Sequence, residues 1–449
     1  MNPSEPLPER STAFSKPSLN QTMQARSRLV PVSQLVLFII ALAGIFYVLF
    51  QTIYKTPYTA TLLYFEFASH IMHGDLPYRD FNLEYPPLSL AFFLVPRLFT
   101  DLYPAYVVLY KAEIFLFVLI GLTVFYRTAR RLGLAPWNMM LVYTLGILAI
   151  GPIITEQYDL FPAILVLLAM YYFWLDKYKT SWMFLALGFM TKAYPLVIAP
   201  IFMIYHLRNR QLHRIGTAAL TFVLTCLVVL LPFLFSDPTS LLGFIHYHTA
   251  RGIQIESTYG AVLLAAHKLG LTSINLVFNY GSWNIAGTIA DRLAVSSTYF
   301  LVAMLLAGYG LIYKSIAVGK LGIEQIGAHA VLITTITLIG SKILSPQYLV
   351  WLIPVTPLFF FSWRDCACLL FLLIGGLTFY VFPMHYMEIM DFKPGVITVL
   401  FIRDFLLIFF GIMSTISVFF GTRLIISVVC QHAEGHGEPD STARFRDEA

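Results

Sequence analysis

The sequence predicts an all-α protein built as a polytopic bundle of transmembrane helices. Hydrophobic residues make up 58% of the chain and charged residues only 12%, whereas soluble domains carry about 25% charged residues. Mean hydropathy is +0.75, and several apolar segments approach the roughly 20 residues that a spanning helix needs. The net charge of +5 comes from short Lys and Arg runs between these segments rather than from one basic face. No nucleic-acid partner is therefore predicted.

A single multi-pass domain is expected over residues 31–425, between a polar, disordered tail at 1–30 and a second polar tail at 426–449. Two long stretches between spans, about 55–102 and 236–292, are expected to be large loops with interfacial helices. The clear spans are placed at about 32–54, 104–126, 138–154, 160–175, 216–235, 293–313, 325–340, 349–361, 367–382 and 396–420.

Basic residues set the expected orientation, because Lys and Arg concentrate in cytoplasmic segments. Four of them precede the first span, namely Arg10, Lys16, Arg26 and Arg28. We therefore expect both tails in the cytoplasm and both large loops on the outer face of a plasma (inner) membrane. An active site would then face the extracytoplasmic side.

The segment at 181–206 has basic residues beyond both ends, yet it is too short for two full spans. Two short helices that meet near "TKAYP" would resolve this, and such a break is tolerated where it is buried in protein. Lys192 lies at this break and Lys342 lies beside "SPQY". A charge in the bilayer is costly, so each needs an ion-pair partner or an anionic ligand, and both options stay open. Other ionisable residues within spans also need partners: Lys111, Glu113, Arg403 and Asp404.

The first large loop contains the charged stretch "PYRDFNLEYPPL" at residues 77–88. Its proline pair predicts that a short helix begins there, because proline is well tolerated in the first helical turn. A carboxylate among aromatic residues at a membrane surface can have a shifted pKa and take a proton from a hydroxyl. The alternative is a solvated loop in which Arg79 pairs with Glu84 or with a lipid headgroup.

The second large loop contains "IHYHTARGIQIES" at residues 245–257. Arg251 is suited to phosphate because its guanidinium makes bidentate contacts. His246, His248 and Glu256 add titratable groups close by in sequence. No metal is predicted, because the two histidines lack a third ligand at the usual spacing.

Three segments in order, "GDLPYRDFNLEYPPL", "RGIQIES" and "SPQYLVW", supported by "GFMTKAYPL", resemble glycosyltransferase family 87. These are polyprenyl-phosphate-sugar-dependent membrane transferases of the C-type superfamily, and the likeness extends over about residues 60–360. It implies a bundle similar to the C-type glycosyltransferase fold. It also implies an enzyme that moves a sugar, a hexose such as mannose or a pentose, from a polyprenyl-phosphate carrier to an acceptor hydroxyl with inversion.

In similar enzymes an acidic residue of the first outer loop is the general base. Many relatives have an Asp just after the first span, where this chain reads "YTATLLY". We therefore expect Asp80 to be the base, with Glu84 and Glu66 as further candidates, and Asp80→Asn to abolish transfer. The residues expected to bind the lipid phosphate or the sugar are Arg79, Tyr85, Lys192, His246, His248, Arg251, Glu256, Lys342 and Gln347.

No cofactor is expected, because the polyprenyl-phosphate sugar is itself the donor. The expected partners are that donor, a glycan, glycolipid or protein acceptor, and the lipid bilayer. Two other functions stay open. One is a transporter or flippase for a lipid-linked or anionic solute, which the two short helices expected at residues 181–206 partly fit. The other is a noncatalytic subunit of an envelope assembly, which the absent Asp favours.

Overall fold

The computed structural model describes residues 32–51, 60–233, 251–317, 319, 321–359 and 365–420. These residues are largely helical, which confirms the predicted all-α fold. The helices before the second loop are α1 (Val32–Gln51), α2 (Ala60–Met72), α3 (Ser89–Arg97), α4 (Tyr103–Arg131), α5 (Pro136–Ile150), α6 (Ile153–Glu156), α7 (Leu160–Trp174), α8 (Tyr178–Thr191), α9 (Ala199–Arg208) and α10 (Leu212–Leu230). Those that follow are α11 (Thr258–Lys268), α12 (Thr288–Ser315), α13 (Ile323–Gly340), α14 (Thr356–Phe359), α15 (Cys366–Phe379), α16 (Tyr386–Met390) and α17 (Pro394–Phe420).

Six helices among the described residues are long and apolar enough to cross a membrane, so the chain is a multi-pass membrane protein. Shorter apolar helices, including α5 and α7, pack among them. The six are Tyr103–Arg131, Leu212–Phe233, Thr288–Ser315, Ile323–Gly340, Cys366–Met384 and Pro394–Phe420.

Helix α7 lies at the centre of the bundle, where α4 and α8 pack against it. Twelve of its fifteen residues are buried. A helix that is apolar on all sides has no polar face to turn outward, so burial on every side is its stable position.

The predicted break near "TKAYP" is confirmed. Helix α8 ends at Thr191, Lys192 adopts an extended backbone conformation, and a 3-10 helix (Tyr194–Ile198) leads into α9. Pro195 supports this arrangement, because its ring cannot continue the α-helical hydrogen bonding of the preceding turn. The end of α8 therefore places non-helical backbone groups and the Lys192 side chain inside the bundle.

Two predicted spans are wrong in detail. The span at 138–154 is interrupted at Gly151, which has a φ of 62°, and α6 then begins after Pro152. The span at 349–361 is a 3-10 helix (Pro346–Trp351) followed by the four-residue α14. Its prolines lack the N–H that a regular helix needs, so the apolar run does not form one long helix.

The second loop differs from the prediction, because it contains a small sheet as well as a helix. Strands β1 (Ile253–Gln254), β2 (Asn275–Asn279) and β3 (Ser282–Ala286) form an antiparallel sheet in the order β1-β3-β2. Tyr280 and Gly281 both have positive φ, at 51° and 67°, as a two-residue hairpin turn requires. This sheet, α11 and α17 share a second hydrophobic core.

Of the four ionisable residues predicted within spans, Lys111, Arg403 and Asp404 find partners, whereas Glu113 Oε2 has no hydrogen-bond partner among the described residues. Lys111 Nζ lies 2.6 Å from Glu156 Oε1, and Arg403 Nε lies 2.9 Å from Asp404 Oδ1. Arg403 also donates from Nη2 to the carbonyl of Glu256 at 2.6 Å. That bond ties the second loop to the last spanning helix.

Candidate functional site

A polar cavity of about 80 Å³ lies where α7 begins and α8 and α13 end. Both loops contribute to it, which the sequence predicted in outline. The predicted site residues that line it are Glu84, Tyr85, Lys192, Arg251 and Gln347. The other lining residues are Gln157, Tyr158, Tyr280, Gly281, Ser282, Ser345 and Tyr348.

Lys192 enters the cavity from the break after α8. Its ammonium donates to Asp159 Oδ1 at 2.7 Å, and Trp351 Nε1 donates to the same oxygen at 2.7 Å. The ammonium also lies 4.6 Å from the Tyr158 ring centre and 5.0 Å from that of Tyr348. The Lys192 ammonium is therefore surrounded by aromatic rings and forms an ion pair with Asp159, which is fully buried.

Arg251, within the second loop, supplies the second cation. Its Nη2 donates to Ser282 Oγ at 2.6 Å, and its side chain is 7% exposed. Among the described residues, no carboxylate lies within ion-pair distance of it and its Nε has no hydrogen-bond partner. Buried charges are normally paired, so this guanidinium is prepared for an anion that enters the cavity.

Glu84 provides a carboxylate on the opposite loop. The backbone N–H of Leu88 donates to the carbonyl of Met190 at 2.9 Å, so the first loop is fastened to the end of α8. Beside Glu84, the Tyr85 and Tyr158 rings meet edge to face at 4.9 Å. The cavity thus combines one acid with two cations in a wall of tyrosines.

Asp80, the first candidate for the base from the sequence, is not among the residues that line the cavity. It is exposed, and its carboxylate accepts from Leu76 N at 2.8 Å and from Arg79 Nη2 at 2.8 Å. The Arg79 guanidinium and that backbone N–H lower the pKa of Asp80 to about 2. An acid with so low a pKa is a weak base near neutral pH. Arg79 is exposed with it, and Glu66 lies on the exposed face of α2.

The backbone explains why Asp80 and Glu84 separate. Tyr78 has a φ of 67°, and its hydroxyl donates to the carbonyl of Tyr85 at 2.6 Å. Together they close a turn that directs residues 79 and 80 to the surface. Glu84, beyond the turn, meets the cavity.

Glu256 lies behind the cavity wall rather than in it, so the structure does not bring it to a substrate. It is 1% exposed, and its Oε2 accepts from Gln254 Nε2 at 2.8 Å. Gln254 Oε1 in turn accepts from the cavity residue Ser345 at 3.0 Å. Burial raises the pKa of Glu256 to about 7, against the hydrogen bond from Gln254 and the charge of Arg403.

The remaining predicted residues are placed as follows. Lys342 is adjacent to the site but is not among the lining residues. Its carbonyl accepts from Gln254 N at 3.0 Å, and burial together with the charge of Arg251 lowers the pKa of its ammonium. His246 and His248 lie outside the described residues. Where the structure is described, no three His, Cys, Asp or Glu side chains group as metal ligands do.

Several site residues escaped the sequence analysis. Asp159 belongs to "TEQYD" at residues 155–159, which the predicted spans leave as a short connection, although a cluster of polar residues is unusual in so apolar a chain. Tyr280 and Ser282 are brought in by the β2–β3 hairpin, for which no signal was recognised. Both sets lie far in sequence from the residues they meet.

The fold and the cavity define a polytopic membrane protein that gathers an acid and two cations at one end of its helices. The family model of glycosyltransferase family 87 matches residues 83–339, more than half of the chain. The chain therefore belongs to glycosyltransferase family 87, which makes it a membrane glycosyltransferase and confirms the resemblance read from its motifs. The matched range includes Glu84, Lys192 and Arg251, and it begins after Asp80. A search of curated proteins found no match.

Proposed function

We propose that this protein transfers a sugar from a polyprenyl-phosphate carrier to an acceptor hydroxyl within the cavity. The observation that carries the proposal is Arg251, a buried cation without a carboxylate partner among the described residues, in the same cavity as the Glu84 carboxylate. A phosphate at Arg251 would neutralise the charge of the guanidinium, and Glu84 would then lie beside the reacting sugar.

Arg251 and Lys192 are proposed to hold the donor phosphate. The guanidinium can bind two phosphate oxygens at once, and the ammonium adds a second charge against the developing negative charge of the leaving group. Ligand sites usually measure roughly 300–1,000 Å³, and this cavity measures about 80 Å³. We therefore propose that the site widens on binding and that the polyprenyl tail lies outside it, along the apolar spans.

Glu84 is proposed as the general base, in place of Asp80. It takes the proton of the acceptor hydroxyl as that oxygen attacks the anomeric carbon. The bond from that carbon to the phosphate oxygen breaks, and polyprenyl phosphate leaves with the electron pair. Attack opposite the leaving group inverts the anomeric centre.

The cavity is proposed to face the extracytoplasmic side of the plasma membrane. Basic residues at the far ends of α4 and α7, such as Arg130, Arg131 and Lys177, support this orientation, because positive residues stay on the cytoplasmic side. The acceptor would then be a glycan, a glycolipid or a protein of the envelope.

The test is sugar transfer by the purified protein from a panel of radiolabelled polyprenyl-phosphate sugars. Glu84→Gln should lower turnover by about 10²- to 10⁴-fold, the usual contribution of a general base, and leave donor binding nearly intact. Asp80→Asn, at a matched carboxylate on the same loop, should keep activity close to that of the wild type. Full activity in Glu84→Gln would refute the assignment.

Uptake of the same radiolabelled donors into vesicles that contain the protein, measured beside transfer, separates the other functions. Donor uptake into vesicles without cleavage of the sugar–phosphate bond would identify a transporter. Neither cleavage nor uptake with any donor would favour a noncatalytic subunit.

A further inference from the structure

A second pocket, of about 450 Å³, lies at the opposite end of α7 and α8 from the candidate site. The turn between these helices and the start of α10 form its walls. The helices have 15 and 14 residues, and at about 1.5 Å per residue they separate the two sites by about 20 Å. The pocket is therefore separate in space from the candidate site, with which it shares no lining residue.

Three cations surround this pocket: Lys177, Lys179 and Arg214. No carboxylate among the described residues lies within ion-pair distance of any of them. The lining also includes Asp176, whose Oδ1 accepts from the Tyr178 hydroxyl at 2.7 Å.

Arg214 is held in place rather than free in solvent. Its guanidinium lies 4.6 Å from the centre of the Tyr178 ring, a cation–π distance. Lys177 Nζ lies 5.9 Å from the centre of the Tyr172 ring. Aromatic rings thus contact two of the three cations. All three line one concave surface, which is suited to a compact anion.

Helix α10 indicates where the rest of the ligand lies. In this 19-residue helix only Ala218 is buried. Large apolar side chains beyond the pocket stay uncovered along it, including Leu220, Val223, Leu224, Leu227 and Val228. In a bilayer these side chains contact acyl chains. A free phosphate would use the cations alone, whereas a phospholipid would use the cations and this apolar face together.

We propose that this pocket binds the headgroup of an anionic phospholipid, with the acyl chains along α10. Basic pockets at the ends of transmembrane helices recognise such headgroups through charge and hydrogen bonds. The lipid would fasten the α7–α8 turn to α10, and so brace the hairpin that carries Lys192 at its other end.

The test is binding of phosphatidylglycerol and of phosphatidylcholine to the full-length protein in detergent, measured by native mass spectrometry. The wild type should prefer phosphatidylglycerol, and rising salt should weaken that preference. The triple variant Lys177→Gln, Lys179→Gln, Arg214→Gln should lose at least about tenfold in affinity for phosphatidylglycerol. The matched control neutralises Arg127, Arg130 and Arg131, which are exposed at the end of α4, and should bind as the wild type does.

Three results would overturn the proposal. The wild type could show no preference for phosphatidylglycerol over phosphatidylcholine, a result that needs no variant to fold. The control could lose as much affinity as the triple variant, which would mean a diffuse charge effect. Inorganic phosphate could compete as strongly as the lipid, which would mean an anion site without acyl-chain contacts. If the triple variant does not fold, Arg214→Gln alone is compared with Arg130→Gln.

Discussion

Arg251 makes the clearest prediction at the scale of a single residue. A charge-assisted hydrogen bond contributes about 1.5–3 kcal/mol. Arg251→Lys keeps the charge but loses the two parallel N–H donors of the guanidinium. The KM for the lipid-linked donor should therefore rise by about 10- to 100-fold. The measurement is steady-state transfer at varied donor concentration.

Arg79 is the matched control for this change. It was expected from the sequence to bind substrate, but it is exposed and paired with Asp80. Arg79→Lys should leave the KM for the donor unchanged. An equal rise in both variants would mean that the effect does not come from contact between the Arg251 guanidinium and the phosphate.

Two acidic residues of one loop show what a single residue's sequence context can and cannot predict. Asp80 and Glu84 lie in the same charged stretch, and composition alone does not rank them. The positive φ of Tyr78 and its bond to the Tyr85 carbonyl decide which one is exposed. A positive φ is rare outside glycine, so the sequence offered no sign of this turn.

At the scale of elements, the break after α8 places the ion pair Lys192–Asp159 inside the bundle. Removing one partner of a buried pair leaves an uncompensated charge and costs about 3–5 kcal/mol. Lys192→Met should therefore lower the unfolding temperature strongly. The double variant with Asp159→Asn should recover most of that loss, because no buried charge is left.

Activity separates the two roles that the sequence left open for Lys192. If Lys192 holds the donor phosphate, the double variant should be stable and still deficient in donor binding. Recovery of both stability and transfer would make Lys192 a structural ion pair only. Circular-dichroism melting and the transfer assay, run on the same preparations, give both answers.

Elements that depend on residues close together in the sequence were predicted well, and those that depend on contacts between distant residues were not. The basic residues beyond both ends of 181–206 and its short apolar length predicted the break, and the proline pair correctly predicted that α3 begins near Ser89. The partner of Lys192 is 33 residues away, and the sheet pairs Ile253 with Ile285. Pairings of that kind are set by tertiary packing, which hydropathy does not report.

At the scale of the whole molecule, hydropathy and charge predicted a membrane bundle with its chemistry in two loops. The cavity itself, however, is assembled from five separate parts of the chain. These are the loop before α3, the turn before α7, the break after α8, the second loop, and the 3-10 helix Pro346–Trp351 with the residue before it. The distribution of charge along the chain indicated a region for the site. Only the packing of the spans brings Glu84, Lys192 and Arg251 to one place.

Glu256 links the cavity to the last spanning helix by hydrogen bonds. Its side chain accepts from Gln254, which accepts from the cavity residue Ser345, and its backbone carbonyl accepts from Arg403. Its pKa is raised from 4.5 to about 7 by burial, although Gln254, Arg403 and Arg251 favour the charged form. Tyr386 also lies against it. A carboxyl whose pKa is raised on folding binds more protons in the folded state than in the unfolded state. It therefore leaves stability unchanged below about pH 4.5 and destabilises the folded state increasingly as the pH rises toward 7.

The protein should therefore become less stable between about pH 5 and pH 7 through this group, by on the order of 3 kcal/mol at most. Glu256→Gln removes the titration, so the variant should gain unfolding temperature relative to the wild type as the pH rises. Glu66→Gln, at an exposed carboxylate, should keep the wild-type profile. Melting curves across this range measure the difference, and parallel profiles for the wild type and Glu256→Gln would show that the buried carboxylate is not the group that titrates.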